Sequence, residues 1–150
     1  MPVVQQRAGA RRGAMAENVR LMKLETEIAP PNSLLFVMDR NAGELPETLI
    51  DHGVTATESC VAIGTLSAAD GTTLVEITDE NMLRNRVPRL RKMFGGILKT
   101  PGHEIVVCTV RLDTILRCPV PDDSVEVEIW GNDEDEPSIV CVKLGKSSSF

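Results

Sequence analysis

The segment Val125-Glu126-Val127-Glu128-Ile129 alternates apolar and charged residues without exception. Successive side chains of a strand point to opposite faces, so this pattern predicts a strand with one buried and one solvated face. Ile105 to Leu112 and Ser138 to Leu144 are apolar, β-branched runs of strand length. Leu34 to Met38 is apolar throughout, the pattern of a strand covered on both sides. Val19 to Ile28, with Val19, Leu21, Leu24 and Ile28 as its apolar positions, fits either a strand or a short helix, and Pro30-Pro31-Asn32-Ser33 ends it. Two further β-branched runs, Cys60–Leu66 and Thr73–Thr78, are joined by Ser67-Ala68-Ala69-Asp70-Gly71-Thr72. Asp-Gly tolerates positive φ at no steric cost, which predicts a hairpin between them.

Helical spacing is confined to two places. Pro46 to His52 predicts a short helix, with Pro46 early and Gly53 after the end. From Asp79 to Lys99, Thr78 or Asp79 can cap, Glu80 sits in the first turn, and Met82, Leu83, Val87 and Leu90 recur at helical intervals. Pro88 divides that pattern into two short pieces, because a proline inside a helix removes a hydrogen bond and clashes with the preceding turn. Gly95-Gly96 is expected to stop it. Residues 1–16 are basic, small and without hydrophobic period, which predicts a flexible tail; residues 17–146 are expected to form one β-rich domain, and 147–150 a frayed end. The predicted class is mainly β (α+β): an antiparallel β-sandwich-like domain with one or two short helices.

A partial echo runs through the chain at an offset of 91 positions. Val19-Arg20-Leu21, Pro30, Ser33, Asn41 and Pro46 correspond to Val110-Arg111-Leu112, Pro121, Ser124, Asn132 and Pro137. Duplication of a strand-turn-strand unit would produce it, and two meanders packed face to face would accommodate it.

Composition narrows the function. With 42% hydrophobic and 25% charged residues, 150 residues suffice for a self-supporting core. That core is aliphatic, since the chain has no Tyr, one Trp (Trp130) and three Phe (Phe36, Phe94, Phe150). A net charge of −6 and scarce aromatics argue against nucleic acid, which is held by cations and stacked on rings. No apolar run approaches the ~20 residues of a membrane helix. Cys60, Cys108, Cys118 and Cys141 form no CxxC pair and lie mostly in apolar runs, as buried reduced thiols do. A cytoplasmic location is the corresponding expectation.

Charge is unevenly distributed. Between Arg117 and Lys143 stand Asp122, Asp123, Glu126, Glu128, Asp133, Glu134, Asp135 and Glu136, with no Lys or Arg among them. A single-signed patch of this kind speeds encounter with an oppositely charged partner and penalises wrong ones. Trp130, expected on the solvent face with Glu126 and Glu128, is a natural interface anchor. Trp130, Glu126, Glu128, Asp133, Glu134, Asp135 and Glu136 are therefore the candidate partner-binding residues. A mirror cluster of Arg84, Arg86, Arg89, Arg91, Lys92 and Lys99 contains no acid. It fits a solvated helix face, or a patch that meets the acidic hairpin within one copy or across a symmetric homodimer. An RNA or phosphate contact would have to overcome the globally acidic field.

Catalytic patterns are weak. Glycine-rich phosphate loops, nucleophile elbows and HExxH are missing, and the calcium-loop spacing is not met by Asp133 and Asp135. His52 and His103 neighbour no metal-ligand pattern, and a triad such as Asp39, His52 and Cys60 could be drawn in any chain of this length. No cofactor, metal or catalytic residue is assigned. The leading reading is an acidic protein-binding module, of inhibitor or immunity type, that docks a basic partner or self-associates. The alternative is a small enzyme with a carboxylate and His site between two sheets.

Overall fold

The computed structural model describes residues 24–47, 53–78 and 90–147. They form ten strands: β1 (Leu24–Ile28), β2 (Leu34–Met38), β3 (Val54–Ala56), β4 (Cys60–Gly64), β5 (Thr73–Thr78), β6 (Arg91–Lys99), β7 (Glu104–Thr109), β8 (Thr114–Pro119), β9 (Ser124–Gly131) and β10 (Ile139–Ser147). A 3-10 turn, Pro31–Ser33, is the helical element among the described residues. Sheet A has the order β1-β5-β10-β9-β6 and sheet B the order β3-β4-β2-β7-β8. All pairs are antiparallel except β5 with β10. The chain thus builds the β-sandwich its alternation predicts.

Between the sheets lies an aliphatic layer. Leu35 and Val37, Val61 and Ile63, Val75 and Ile77, Ile105 and Val107, Val125, Val127 and Ile129, and Val140 and Val142 each come from alternate positions of their strands. Branched side chains suit a pleated surface buried on one side, which is how a chain so poor in aromatics fills the space. Phe36, the largest fully buried side chain, is on the other face of sheet B. There it clusters with Met38, Cys60, Ala62, Val106 and Cys108. Double coverage explains the unbroken apolar run of β2. The loop after β2 supplies part of that cover: Gly43 passes so close to Met38 that any Cβ would collide with the thioether.

Three expectations change. Cys60–Leu66 and Thr73–Thr78 are strands, but not a hairpin: β4 belongs to sheet B and β5 to sheet A. Asp70-Gly71 does form a turn, with the Asp70 N–H donating to the Ser67 carbonyl at 2.8 Å and Gly71 at φ 148°. It sits in an eight-residue corner that carries the chain across the sandwich, too long to fix a two-strand register. Residues 91–99 are not helical. They make β6, and Gly95-Gly96 lies mid-strand rather than ending an element, because the Lys92 stem and the Phe94 ring occupy the space where Cβ atoms would stand. The missing side chains erased the alternation that would have revealed the strand. Glu47, inside the expected helix over Pro46 to His52, is not helical, and residues 48–52 lie outside the described residues. So do 79–89, which carry the remaining helical spacing, and the expected tail over 1–16. Ser147 closes β10, and the rest of the expected frayed end is likewise outside.

The echoed segments coincide with β1-β2 and β8-β9, two edge-to-interior crossovers that run between the sheets in opposite directions. The flanking order differs, since β2 stands third from β8 in its sheet and β9 fourth from β1. Strand order therefore does not repeat with the echo.

Asp39, fully buried at the end of β2, fixes one end of the sandwich. Its carboxylate accepts the N–H of Asn41 at 2.8 Å and that of Gly102 at 2.5 Å, tying β2 to the β6–β7 turn. Asp39→Ala leaves both donors without their acceptor and is expected to cost about 2–4 kcal/mol in urea denaturation, with Asp39→Asn intermediate.

Candidate functional site

The acidic segment is built on β9 and the β9–β10 hairpin. Val125, Val127 and Ile129 face the core, which turns Glu126, Glu128 and Trp130 onto the outer face of sheet A. The hairpin is organised by its own side chains. Asn132 accepts the amides of Ser138 at 3.0 Å and Ile139 at 3.1 Å and donates to the Ser138 hydroxyl at 3.0 Å. Asp133 accepts the amides of Asp135 at 2.8 Å and Glu136 at 2.9 Å, and these bonds hold its carboxyl below the ordinary value. Glu134, Asp135 and Glu136 are exposed.

Trp130 is on the expected face, but it is half-buried rather than an exposed anchor. It packs with Ile139, Leu90 and Cys141 in a small apolar cluster on the outside of sheet A. Its indole N–H donates to Glu128 Oε1 at 2.9 Å. Glu128 also meets Lys92 at 3.4 Å and Lys143 at 3.5 Å. The Trp130 hydrogen bond, with help from both lysines and against partial burial, lowers the Glu128 pKa. Arg91 pairs with Glu134 at 3.1 Å. Part of the basic cluster thus meets the acidic hairpin inside one chain, through the register that sets Arg91 opposite Gly131 and Lys92 opposite Trp130. Arg84, Arg86 and Arg89 lie outside the described residues. Lys99 pairs elsewhere, with Glu58 of the β3–β4 turn.

The remaining carboxylates differ. Asp123 pairs with the His103 ring at 2.8 Å, while the Asp122 and Asp123 carbonyls accept from Thr100. Glu126, Asp135 and Glu136 have no cation within ion-pair distance among the described residues. Beside Glu126 on β6 stands Ile97, the most exposed large apolar side chain among the described residues at 56%. Sequence reasoning missed Ile97 because its strand was hidden by the glycines before it.

The expected catalytic alternative places its site between the sheets, where the structure has an aliphatic layer. His103 is on the β6–β7 turn, half-exposed and at φ 59°, and His52 lies outside the described residues. Asp39 is engaged by backbone amides. The four cysteines are free and buried. Cys60 and Cys108 lie two strands apart, roughly 10 Å between Cα atoms by strand spacing, too far to bridge. Burial pushes the Cys60 thiol up to about 12 and those of Cys108 and Cys118 to about 11. Among the described residues no group of His, Cys, Asp and Glu could hold a metal ion, and no helix is long and apolar enough to cross a membrane.

These features define a two-sheet β-sandwich carrying an acidic hairpin on one outer face. No protein-family model matches the chain, and no curated protein matches it. Among solved structures the fold is similar to that of ComJ from Bacillus subtilis, described as an inhibitor of the DNA degrading activity of NucA. The likeness covers 83% of this chain and 96% of that one, with a TM-score of 0.56 and 8% sequence identity. At that identity it shows the fold.

Two measurements check this geometry. Because the folded pKa of Glu128 lies below its ordinary value of 4.5, its contribution to stability is complete above that value and is lost as pH falls through the folded one. Glu128→Gln is expected to flatten the fall of stability in that acid window, read from urea midpoints. Iodoacetamide at mildly alkaline pH is expected to leave native Cys60, Cys108 and Cys118 unmodified and to label them in urea, since their raised pKa values cut the thiolate fraction about a hundredfold or more.

Proposed function

We propose that the chain is a protein-binding module of inhibitor or immunity type that docks a basic partner on the acidic hairpin and the outer face of sheet A. The observation that carries this reading is the division among the carboxylates of that face. Glu128 and Glu134 are neutralised by Lys92, Lys143 and Arg91, and Asp133 is engaged by the turn, so these three shape the surface. Glu126, Asp135 and Glu136 have no paired cation among the described residues and reach solvent. An unneutralised acidic rim on a braced frame favours fast encounter with cations and little reorganisation on docking.

Trp130 acts here by holding Glu128 in place more than by inserting into the partner. The likeness of fold to an inhibitor of a DNA-degrading enzyme supports the inhibitor reading. It also suggests a partner class, because an enzyme that handles nucleic acid presents a cationic surface. The four free thiols suit a reducing, cytoplasmic setting.

The test is capture from the source cell's lysate at low and high salt, followed by measured affinity for the captured protein. A basic protein is expected to bind the wild type and be released by salt. Asp135→Lys with Glu136→Lys should weaken it by about tenfold or more, or about 1.4 kcal/mol. Trp130→Ala should weaken it less, through loss of the Glu128 brace. Association that ignores salt and survives the double reversal overturns the reading.

A further inference from the structure

We infer that two copies of this chain associate about a two-fold axis by pairing β6 with β6, joining the two A sheets into one continuous sheet. This stands apart from the basic-partner reading and fails or holds without it.

β6 is an edge strand, bonded to β9 on one side. Its backbone shows which groups face the other side. The Thr100 N–H donates towards β9, to the Asp123 carbonyl at 2.6 Å, while the Lys99 N–H points the opposite way, to the Glu58 carbonyl at 3.0 Å. Along a strand this direction alternates. The N–H and C=O of Ile97 and Gly95 therefore face outward as well, and residues 95–97 are exposed. An edge with free donors and acceptors is a template for another strand.

Two features limit the open stretch and thereby set its register. At one end the Glu58 loop covers Lys99 through that backbone bond and the side-chain ion pair. At the other, the register shift between Lys92 and Phe94 interrupts the regular alternation of the strand. What remains open is a short piece centred on Gly96. Antiparallel pairing about Gly96 sets Gly95 of each copy opposite Ile97 of the other, and all four outward N–H groups find carbonyls. The irregularity of one copy then lies opposite the Glu58 loop of the other, so regular pairing ends at the same place on both strands.

Side chains complement one another in the same register. Ile97 projects from the outer face, and in this register it comes against the Lys92 methylene stem that covers Gly95 of the opposing copy. The Lys92 stem lies across Gly95, with its ammonium 3.1 Å from where a Cβ would be. It would flank the incoming Ile97 and face the Glu126 carboxylate beyond it, which has no cation within ion-pair distance among the described residues. Arg91 and Lys99 are already paired with Glu134 and Glu58, so the flanking cations do not repel their copies.

The test is sedimentation velocity of the full chain over about two decades of concentration, up to about 1 mM. The contact is short, and the wild type is expected to move from the 16.3 kDa chain mass towards twice that value at the upper end. Ile97→Pro removes an outward donor while leaving the β9 bonds intact, and Ile97→Lys puts a charge in the seam. Both should raise the dissociation constant by about tenfold or more with circular dichroism unchanged. Hydrogen exchange of the Gly95 and Ile97 amides should slow as concentration rises. A wild type that stays monomeric throughout, as it would if the edge serves a strand of a different protein, overturns the inference. So does a dimer that both variants leave intact.

Discussion

Ten strands shared between two sheets can stack only if each sheet presents an apolar face to the other, and the period of two along each strand enforces it. The chain crosses between the sheets four times, at β1–β2, β4–β5, β6–β7 and β8–β9. Every crossing must deliver the next strand with its Val, Ile or Leu residues turned inward, since a one-residue slip would reverse the whole row. The aliphatic layer is thus both the source of stability and the constraint on register. The outer faces are then free to differ. That of sheet B holds a second apolar cluster under the loop after β2, whereas that of sheet A carries the Trp130 cluster and the acidic residues of β9.

The same layering explains which elements were legible in the sequence. β9 could be read directly, because its two faces meet different surroundings and its alternation is complete. β2 was legible as a strand from its unbroken apolar run, and β4, β5, β7 and β10 from their β-branched ones, but not their partners, since a strand covered on both sides carries no mark of which neighbour it joins. The Asp70-Gly71 turn was recognised and its consequence was not. A local bend looks the same whether it closes a hairpin or rounds a corner between sheets. β6 was hidden by Gly95 and Gly96, which remove the side chains that periodicity needs. β3 and β8 are short or edge strands whose half-exposed residues leave little contrast.

For the site, composition located the acid and alternation placed Glu126, Glu128 and Trp130 on one face. It could not show which carboxylates are already engaged. That depends on β6 lying beside β9, a contact between residues far apart in the chain that brings Arg91 and Lys92 to Glu134 and Glu128. Charge counted along the sequence therefore overstates the charge offered to a partner. Two networks divide the work, one that shapes the hairpin through Asn132 and Asp133 and one that braces Glu128 between an indole and two ammonium groups.

The indole of Trp130 is the sole one in the chain, and its N–H is bonded to the carboxylate at the centre of the charged face. Its fluorescence consequently reports on that face alone, without background from other tryptophans or from any tyrosine. Protonation of Glu128, displacement of Lys92 or Lys143, or exclusion of water by an arriving molecule would each alter the field around one chromophore. The protein carries its own optical probe, placed where its surface chemistry is concentrated.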